Sequence, residues 1–282
     1  MGQKLKFNLE KNSIVCGDCC NEEGNGWLNF IPDNSVDLIY IDPPFFSNKN
    51  YEIVWGNGFE VRSFGDRWKG GIEHYIDWMK PKLEQAKRVL KDTGVIVFHC
   101  DKNASHKIRC LLDDRFGGNN FVNEIIWYYR KWTNSPNIFQ QNHDNIYIYK
   151  KDKPYIFNPK YQDAKDVRDW KLNTVKDNGK RINQIIIYDE QKTEKAFKEG
   201  RIKFKKEDLR VVHRKKNEVA MDDVWDLGVL SSNSPERIGY KTQKPERLIC
   251  RFIECFSNEQ SIVLDFFGGG GTTAKVCSDL NR

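Results

Sequence analysis

Long apolar runs are what this sequence most lacks. No stretch approaches the roughly 18 apolar residues that a membrane-spanning helix needs, and Met1-Gly2-Gln3-Lys4 leads into no apolar signal core. The expectation is therefore a cytoplasmic protein with no membrane partner. Cysteine is present at positions 16, 19, 20, 100, 110, 250, 255 and 277, but Cys16-x-x-Cys19-Cys20 has no matching downstream pair and no His-x-x-x-His beside it. That argues against a zinc site and for reduced thiols rather than disulfides, so the expected metal is none. Internal repeats and low-complexity linkers are missing too. With 282 residues, the chain can bury a sizeable core as one large domain or as a domain with an insertion.

Charge is unevenly spread. Residues 150–216 hold 21 Lys and Arg against 11 Asp and Glu, net +10, which leaves −4 for the rest of a chain whose total is +6. Within this stretch Arg201, Lys203, Lys205 and Lys206, then Arg214, Lys215 and Lys216, alternate with or flank apolar positions. Such clusters suit strands or short loops that follow a phosphate backbone. A solvated charged surface is the plainer reading for any single lysine, whereas the regional excess points to nucleic acid.

Periodicity places the elements. Residues 36–42 and 95–100 read as buried strands of the parallel type, the first apolar except for Asp37; residues 124–129 and 145–149 follow as further strands. Between the first two, residues 72–91 have helical spacing at Tyr75, Met79, Leu83, Ala86 and Leu90, with Pro81 as a kink or restart and Thr93-Gly94 as the stop. Pro245 opens a helix whose stripe, Leu248, Ile249, Phe252, Ile253 and Phe256, is core. Strands alternating with helices predict a parallel sheet covered on both faces, an α/β fold.

Two strings carry chemistry. Asp42-Pro43-Pro44-Phe45 closes the first strand; its prolines fix the backbone and remove two N–H donors, leaving carbonyls and a carboxylate to meet a ligand with donors. A Pro-Pro strand terminator with a solvated Asp and a packed Phe is the alternative. Near the C-terminal end, Ile262-Val263-Leu264 runs into Asp265-Phe266-Phe267-Gly268-Gly269-Gly270-Gly271-Thr272-Thr273 and then a helical stretch, so that a ligand can approach a glycine loop and free helix N–H groups. The loop lacks the Gly-Lys-Thr ending of a phosphate-binding P-loop and is a poor dinucleotide fingerprint.

Taken together, these strings resemble the catalytic and cofactor motifs of the S-adenosylmethionine-dependent amino-methyltransferases of DNA, in the motif order of the β group. Gly17-Asp18-Cys19, Leu90 through Asp101, Asn123-Glu124-Ile125-Ile126-Trp127, Asp223-Val224-Trp225 and Thr242-Gln243-Lys244-Pro245 extend the resemblance along most of the chain. It implies a Rossmann-like methyltransferase sheet with helices on both faces. The implied parts are a catalytic half (1–149), a basic target-recognition insertion (150–222) containing the turn Glu199-Gly200-Arg201-Ile202, and a cofactor-binding half (223–282).

The resemblance implies transfer of a methyl group from S-adenosylmethionine to adenine N6 in double-stranded DNA. Asp at position 42 is the usual adenine choice and Ser the cytosine one. Cytosine-N4 transfer and a non-catalytic DNA-binding remnant are the alternatives; RNA and protein-glutamine enzymes share similar tetrapeptides but do not predict the basic insertion. The Asp42 carboxylate and the Pro43 carbonyl would grip the amine hydrogens, and Phe45 would stack on a base swung out of the duplex. Residues 46–69, rich in aromatics, would either close over that base or pack as a surface loop.

Asp265 would pair with the methionine ammonium, and Phe267, Gly269 and Gly271 would wrap that moiety while Thr272 and Thr273 cap the helix. Thr242, Gln243 and Lys244 would meet the carboxylate end and Asp18 the adenosine end; for Lys244 and Asp18 an ordinary surface salt bridge stands as the alternative. A homodimer and a cognate restriction endonuclease are further partners the resemblance admits. It also departs: the glycine loop is bulkier before and emptier within than the common form. The family continues past Arg282 to an acidic ribose-binding residue, so a truncated chain with weak cofactor affinity is the expectation.

Overall fold

A computed structural model describes residues 12–20, 26–46, 50–55, 60–65, 70–130, 137–162, 170–213 and 219–282. In chain order its strands and helices begin with β1 (Val36–Ile41), β2 (Asn50–Trp55), β3 (Glu60–Gly65), α1 (Gly71–Val89), β4 (Leu90–Cys100) and α2 (Ser105–Phe116). They continue with β5 (Phe121–Tyr128), β6 (His143–Lys150), β7 (Tyr161–Gln162), β8 (Trp170–Asp177), β9 (Lys180–Ile187), α3 (Glu190–Lys198), β10 (Arg210–His213) and β11 (Val219–Ala220). The last are β12 (Val224–Asp226), α4 (Glu246–Phe256), β13 (Val263–Leu264) and α5 (Thr272–Asp279). The chain divides into two compact units, Met1–Asn158 with Asp223–Arg282, and Pro159–Asp222.

In the first unit, among the described residues, one sheet runs in the order β12-β5-β6-β4-β1-β13. β1 lies parallel to both β4 and β13, and β12 parallel to β5. The expectation of a parallel sheet fails at β6, which is antiparallel to both neighbours. No helix separates β5 from β6 in the described chain, and without a crossover the chain can only return alongside itself in the opposite direction.

Helices cover both faces. Tyr75, Met79 and Leu83 of α1 share one buried cluster with Ile39, Ile41, Ile96 and Phe98. Adjacent strand residues point to opposite faces, so Tyr40 looks the other way, where the Phe252 ring of α4 lies 6.1 Å from it and 4.8 Å from Trp225. The whole expected α4 stripe is buried. Each such side chain removed from water is worth about 1.5–3 kcal/mol.

Three local expectations need correction. α1 runs unbroken through Pro81, and it ends at Val89 rather than at Thr93-Gly94. Leu90 turns extended there, and Gly94 sits inside β4, where a Cβ would come within 2.7 Å of the Leu90 side chain. Asp37, the polar exception in β1, is a fastener: its Oδ1 accepts from Lys91 Nζ at 2.8 Å and its Oδ2 from the Ile262 N–H at 2.9 Å, while its own N–H donates to the Ile262 carbonyl at 2.9 Å. Residues 46–69 contain the antiparallel pair β2–β3 rather than a loop throughout; the side chains of 47–69 lie outside the described residues.

The second unit starts at Pro159, not 150. Residues up to Asn158 stay with the first unit because the Asn158 N–H donates to the Cys255 carbonyl at 2.8 Å and its Nδ2 to those of Glu254 and Ser257 at 2.9 and 3.1 Å. Within the second unit β8 and β9 form a hairpin about Asn178-Gly179, both at positive φ as a tight two-residue turn requires. β10 pairs parallel to β9, and Ile185, Ile187, Ala196, Ile202 and Leu209 form the core. Gly200, at φ 68°, ends α3 in a left-handed turn that lets the Arg201 N–H reach the Ala196 carbonyl at 2.9 Å. The unit's two ends meet: β7 pairs with β11, and the Met221 N–H donates to the Lys160 carbonyl at 3.0 Å.

Candidate active site

Because β1 and β13 are neighbours in the sheet, the segments leaving their C-terminal ends converge, although they lie far apart in sequence. Asp42, Pro43, Pro44 and Phe45 after β1, and Asp265, Phe267, Gly269, Thr272 and Thr273 after β13, line one cavity of about 320 Å³. Thr242, Gln243 and Lys244 complete it, together with Tyr240, which sequence reasoning missed. A site at the carboxyl ends of parallel strands is where open α/β sheets bind ligands.

Asp42 is the polar centre. Its Oδ2 accepts from Lys244 Nζ, and its Oδ1 is buried and accepts no hydrogen bond from any described residue. The pair is no surface salt bridge, since the Lys244 side chain is 11% exposed and that of Asp42 18%. Lys244 Nζ also lies 5.0 Å from the centre of the Phe45 ring. Lys244 thus places N–H donors on Asp42 and against the face of Phe45.

The glycine loop is built around Asp265. Its Oδ1 accepts from the Phe267 N–H at 2.9 Å and its Oδ2 from Thr273 Oγ1 at 2.6 Å. Burial pushes this carboxyl up to about 6 against the opposing hydrogen bonds. The threonines do not cap α5: Gly271, at φ 80°, is the N-cap, while Thr272 Oγ1 turns to the Lys244 carbonyl at 3.4 Å. Gly271 is not a lining residue; its N–H closes the turn on the Gly268 carbonyl at 2.7 Å. A Cβ at Gly270 would press on the Ile238 and Tyr240 side chains at 3.3 Å, so a larger residue there would require them to shift. The Gln243 side chain is committed to its own turn, donating to the Glu236 carbonyl at 2.7 Å and accepting from the Ile238 N–H at 3.0 Å.

Asp18 is not brought to this cavity. It is exposed, and its carboxylate closes a turn by accepting from the Cys20 N–H at 3.1 Å. None of the eight cysteines is in a disulfide. In the second unit Arg201, Lys203, Lys205 and Lys206 are exposed, but Arg201 pairs with Glu199 and Lys206 with Glu194, whereas Lys203 and Lys205 have no acidic partner among the described residues. The stretch is a turn and a short 3-10 helix rather than a strand. Arg214, Lys215 and Lys216 lie outside the described residues.

A second cavity of about 570 Å³ adjoins the first, sharing Phe45, Tyr240, Thr242, Gln243 and Lys244, and is walled by Trp127, Tyr129, Asp101 and Asp144. Asp101 and Trp127 end two of the strings that carry the resemblance, whereas nothing local marks Tyr129 and Asp144, which the pairing of β5 and β6 gathers.

The DNA methylase family profile matches residues 36–282. The chain belongs to this family. Among its curated relatives within reach, the type II methyltransferase M.HpaI of Haemophilus parainfluenzae is 28% identical over 90% of this chain and 64% of that protein. The StyLTI Mod subunit, a type III restriction-modification enzyme of Salmonella typhimurium, is 24% identical over 88% of this chain and 47% of its own length. The DNA adenine methyltransferase YhdJ of Escherichia coli is 25% identical over 99% of the chain and 79% of that protein. The chain thus spans about half to two thirds of the length of the first two. A solved structure titled PvuII DNA methyltransferase (cytosine-N4-specific) has a TM-score of 0.55 at 14% identity, covering 94% of this chain and 77% of that one, a likeness of fold. The α/β architecture of this family member is that of the DNA methyltransferases.

Proposed function

We propose that this chain transfers a methyl group from S-adenosylmethionine to the exocyclic N6 of adenine in double-stranded DNA, on a base drawn out of the duplex. The observation that carries the reading is the buried Asp42 Oδ1, without a hydrogen bond from any described residue, in a cavity that the Asp265 glycine loop also lines. The residues present fit the cofactor: the open glycine loop admits a chain at close range, and Asp265 offers a carboxylate to an ammonium. When bound, S-adenosylmethionine supplies an electrophilic methyl group.

The protein's own part is to present the amine. An exocyclic amino lone pair is delocalised into the ring, and acceptors on its hydrogens draw it back onto nitrogen; Asp42 and the Pro43 carbonyl would be those acceptors. The Asp42 carboxylate then stabilises positive charge developing on nitrogen. Lys244 must withdraw as the amine arrives, and the second cavity, with Phe45, Trp127 and Tyr129 around it, suits a flipped base. Asp at position 42 favours adenine over cytosine. The basic unit Pro159–Asp222 would hold the duplex, and the relatives named as restriction-modification enzymes make a cognate endonuclease a further partner to test.

The test is to incubate duplex DNA with methyl-labelled S-adenosylmethionine and the chain, then analyse the nucleosides by mass spectrometry. Label in N6-methyladenine, lost in Asp42→Ala, is expected. Label in N4-methylcytosine would overturn the adenine choice, and none in either base would overturn the activity.

A further inference from the structure

Behind Asp42, on the side away from the glycine loop, lies a buried histidine that the mechanism above does not use. His99 of β4 is fully buried, with Nδ1 3.7 Å from the unbonded Asp42 Oδ1 and 3.1 Å from the Tyr40 hydroxyl. Its Nε2 is 3.3 Å from Asp144 Oδ2, and Asp144 Oδ1 accepts from the Tyr129 hydroxyl at 2.7 Å. Register explains the gathering: β4 is flanked by β1, which brings Tyr40 and Asp42, and by β6, which brings Asp144.

One set of protons satisfies this arrangement. Burial pushes the Asp144 carboxyl up, but the hydrogen bonds from His99 and the Tyr129 hydroxyl, with the nearby Lys244 charge, outweigh it and hold the group below the ordinary carboxylate value. Burial raises both tyrosines, so they keep their protons and donate. Tyr129 and His99 Nε2–H then donate to Asp144, and Tyr40 donates to His99 Nδ1. The ring is locked with its basic nitrogen toward Asp42, between the Phe45 ring at 5.6 Å and the Trp127 ring at 5.4 Å.

Resting on the proposed amine methylation, we infer that His99, oriented by Asp144, is a positioning residue that turns an acceptor nitrogen to Asp42 Oδ1, so that this oxygen is left free for the target amine, and that it stores the proton the amine must lose. The amine N–H bond breaks with its electron pair left on nitrogen, and the proton passes to Asp42 Oδ1. The Tyr40 hydroxyl turns its proton away from His99 Nδ1, and the Asp42 O–H bond breaks as His99 Nδ1–H forms. Asp144 balances the resulting imidazolium, and the same proton returns through Asp42 to water when the base leaves. The geometry is that of a base held in one tautomer by a carboxylate.

Two measurements test this. In the chain without cofactor, long-range proton–nitrogen NMR, with His99 assigned by its loss in His99→Gln, should show the Nε2–H tautomer, and Asp144→Ala should abolish that preference. An Nδ1–H ring, or one indifferent to Asp144→Ala, overturns the inference. Kinetically, His99→Phe keeps an aromatic ring between Phe45 and Trp127 but no nitrogen. If it folds, kcat should fall about 100-fold with KM for DNA and cofactor affinity unchanged. His99→Gln and Asp144→Asn, which keep shape and part of the hydrogen bonding, should fall less. Unchanged kcat in any folded His99 variant, beside an active wild type, overturns the inference while leaving the proposed function standing. A wild type that transfers no methyl sinks the proposed function instead, and the tautomer result still decides whether Asp144 aims the ring at Asp42.

Discussion

Asp42 and Asp265 face the same cavity under opposite conditions, one paired with a lysine and the other held by neutral donors, and each difference can be measured. Asp42→Ala should lower methyl transfer by at least about 100-fold, read in single turnovers, with cofactor affinity nearly unchanged because Asp265 and the glycine loop remain. Residual activity within tenfold would contradict the role, since that is only about 1.4 kcal/mol of barrier. Asp265 predicts a pH dependence. Its carboxyl is raised from 3.8 to about 6 in the folded chain, so the folded state binds this proton more tightly. Its contribution to stability is therefore full below pH 3.8 and lost as pH rises to about 6. Binding of an ammonium runs the other way: it requires the carboxylate, so calorimetry should show cofactor affinity falling as pH drops below about 6, and Asp265→Asn should flatten that curve. Both aspartates were legible because each sits in a short string beside its strand. His99 and Asp144 were not, since they meet the site only through strand pairing, and Tyr240 was not, since it lies two residues ahead of the string that begins at Thr242.

At the scale of elements, β13 is only two residues long and carries the whole glycine loop, so its anchoring governs the site. Asp37 does much of that anchoring. Asp37→Ala leaves the Ile262 N–H without its carboxylate acceptor, a loss of about 1–3 kcal/mol, and should weaken cofactor binding although Asp37 touches no part of the cavity. Urea unfolding and a cofactor titration read the two effects; a variant with wild-type values in both would show the anchor to be dispensable. The helical stripes and the strands β1, β4, β5 and β6 were readable from apolar periodicity. The direction of β6 was not, because strand direction depends on what connects the strands, and nothing in 129–142 announces a return without a helix. Thr272 and Thr273 misled for a related reason. Threonine before a helix reads as a cap, yet a glycine at positive φ had already taken that position and freed both hydroxyls for Lys244 and Asp265.

For the whole molecule, composition located the basic region but placed its start nine residues early, since the charge excess begins before the chain leaves the first unit. If the second unit holds DNA through its phosphates, affinity should fall steeply with salt. Replacing residues 161–220 by a short turn should remove most of that affinity while leaving the rest folded and able to bind cofactor, as fluorescence anisotropy and calorimetry would show. Loss of cofactor binding in a folded deletion would mean that the units are not separable. The hydrogen bond between Met221 and Lys160 carries this further. A segment whose entrance and exit are already tied together can be exchanged for another of different length and content without moving a strand of the sheet it interrupts. If the second unit addresses DNA as proposed, a single splice there would change the address and leave the sheet that carries the cavity as it is.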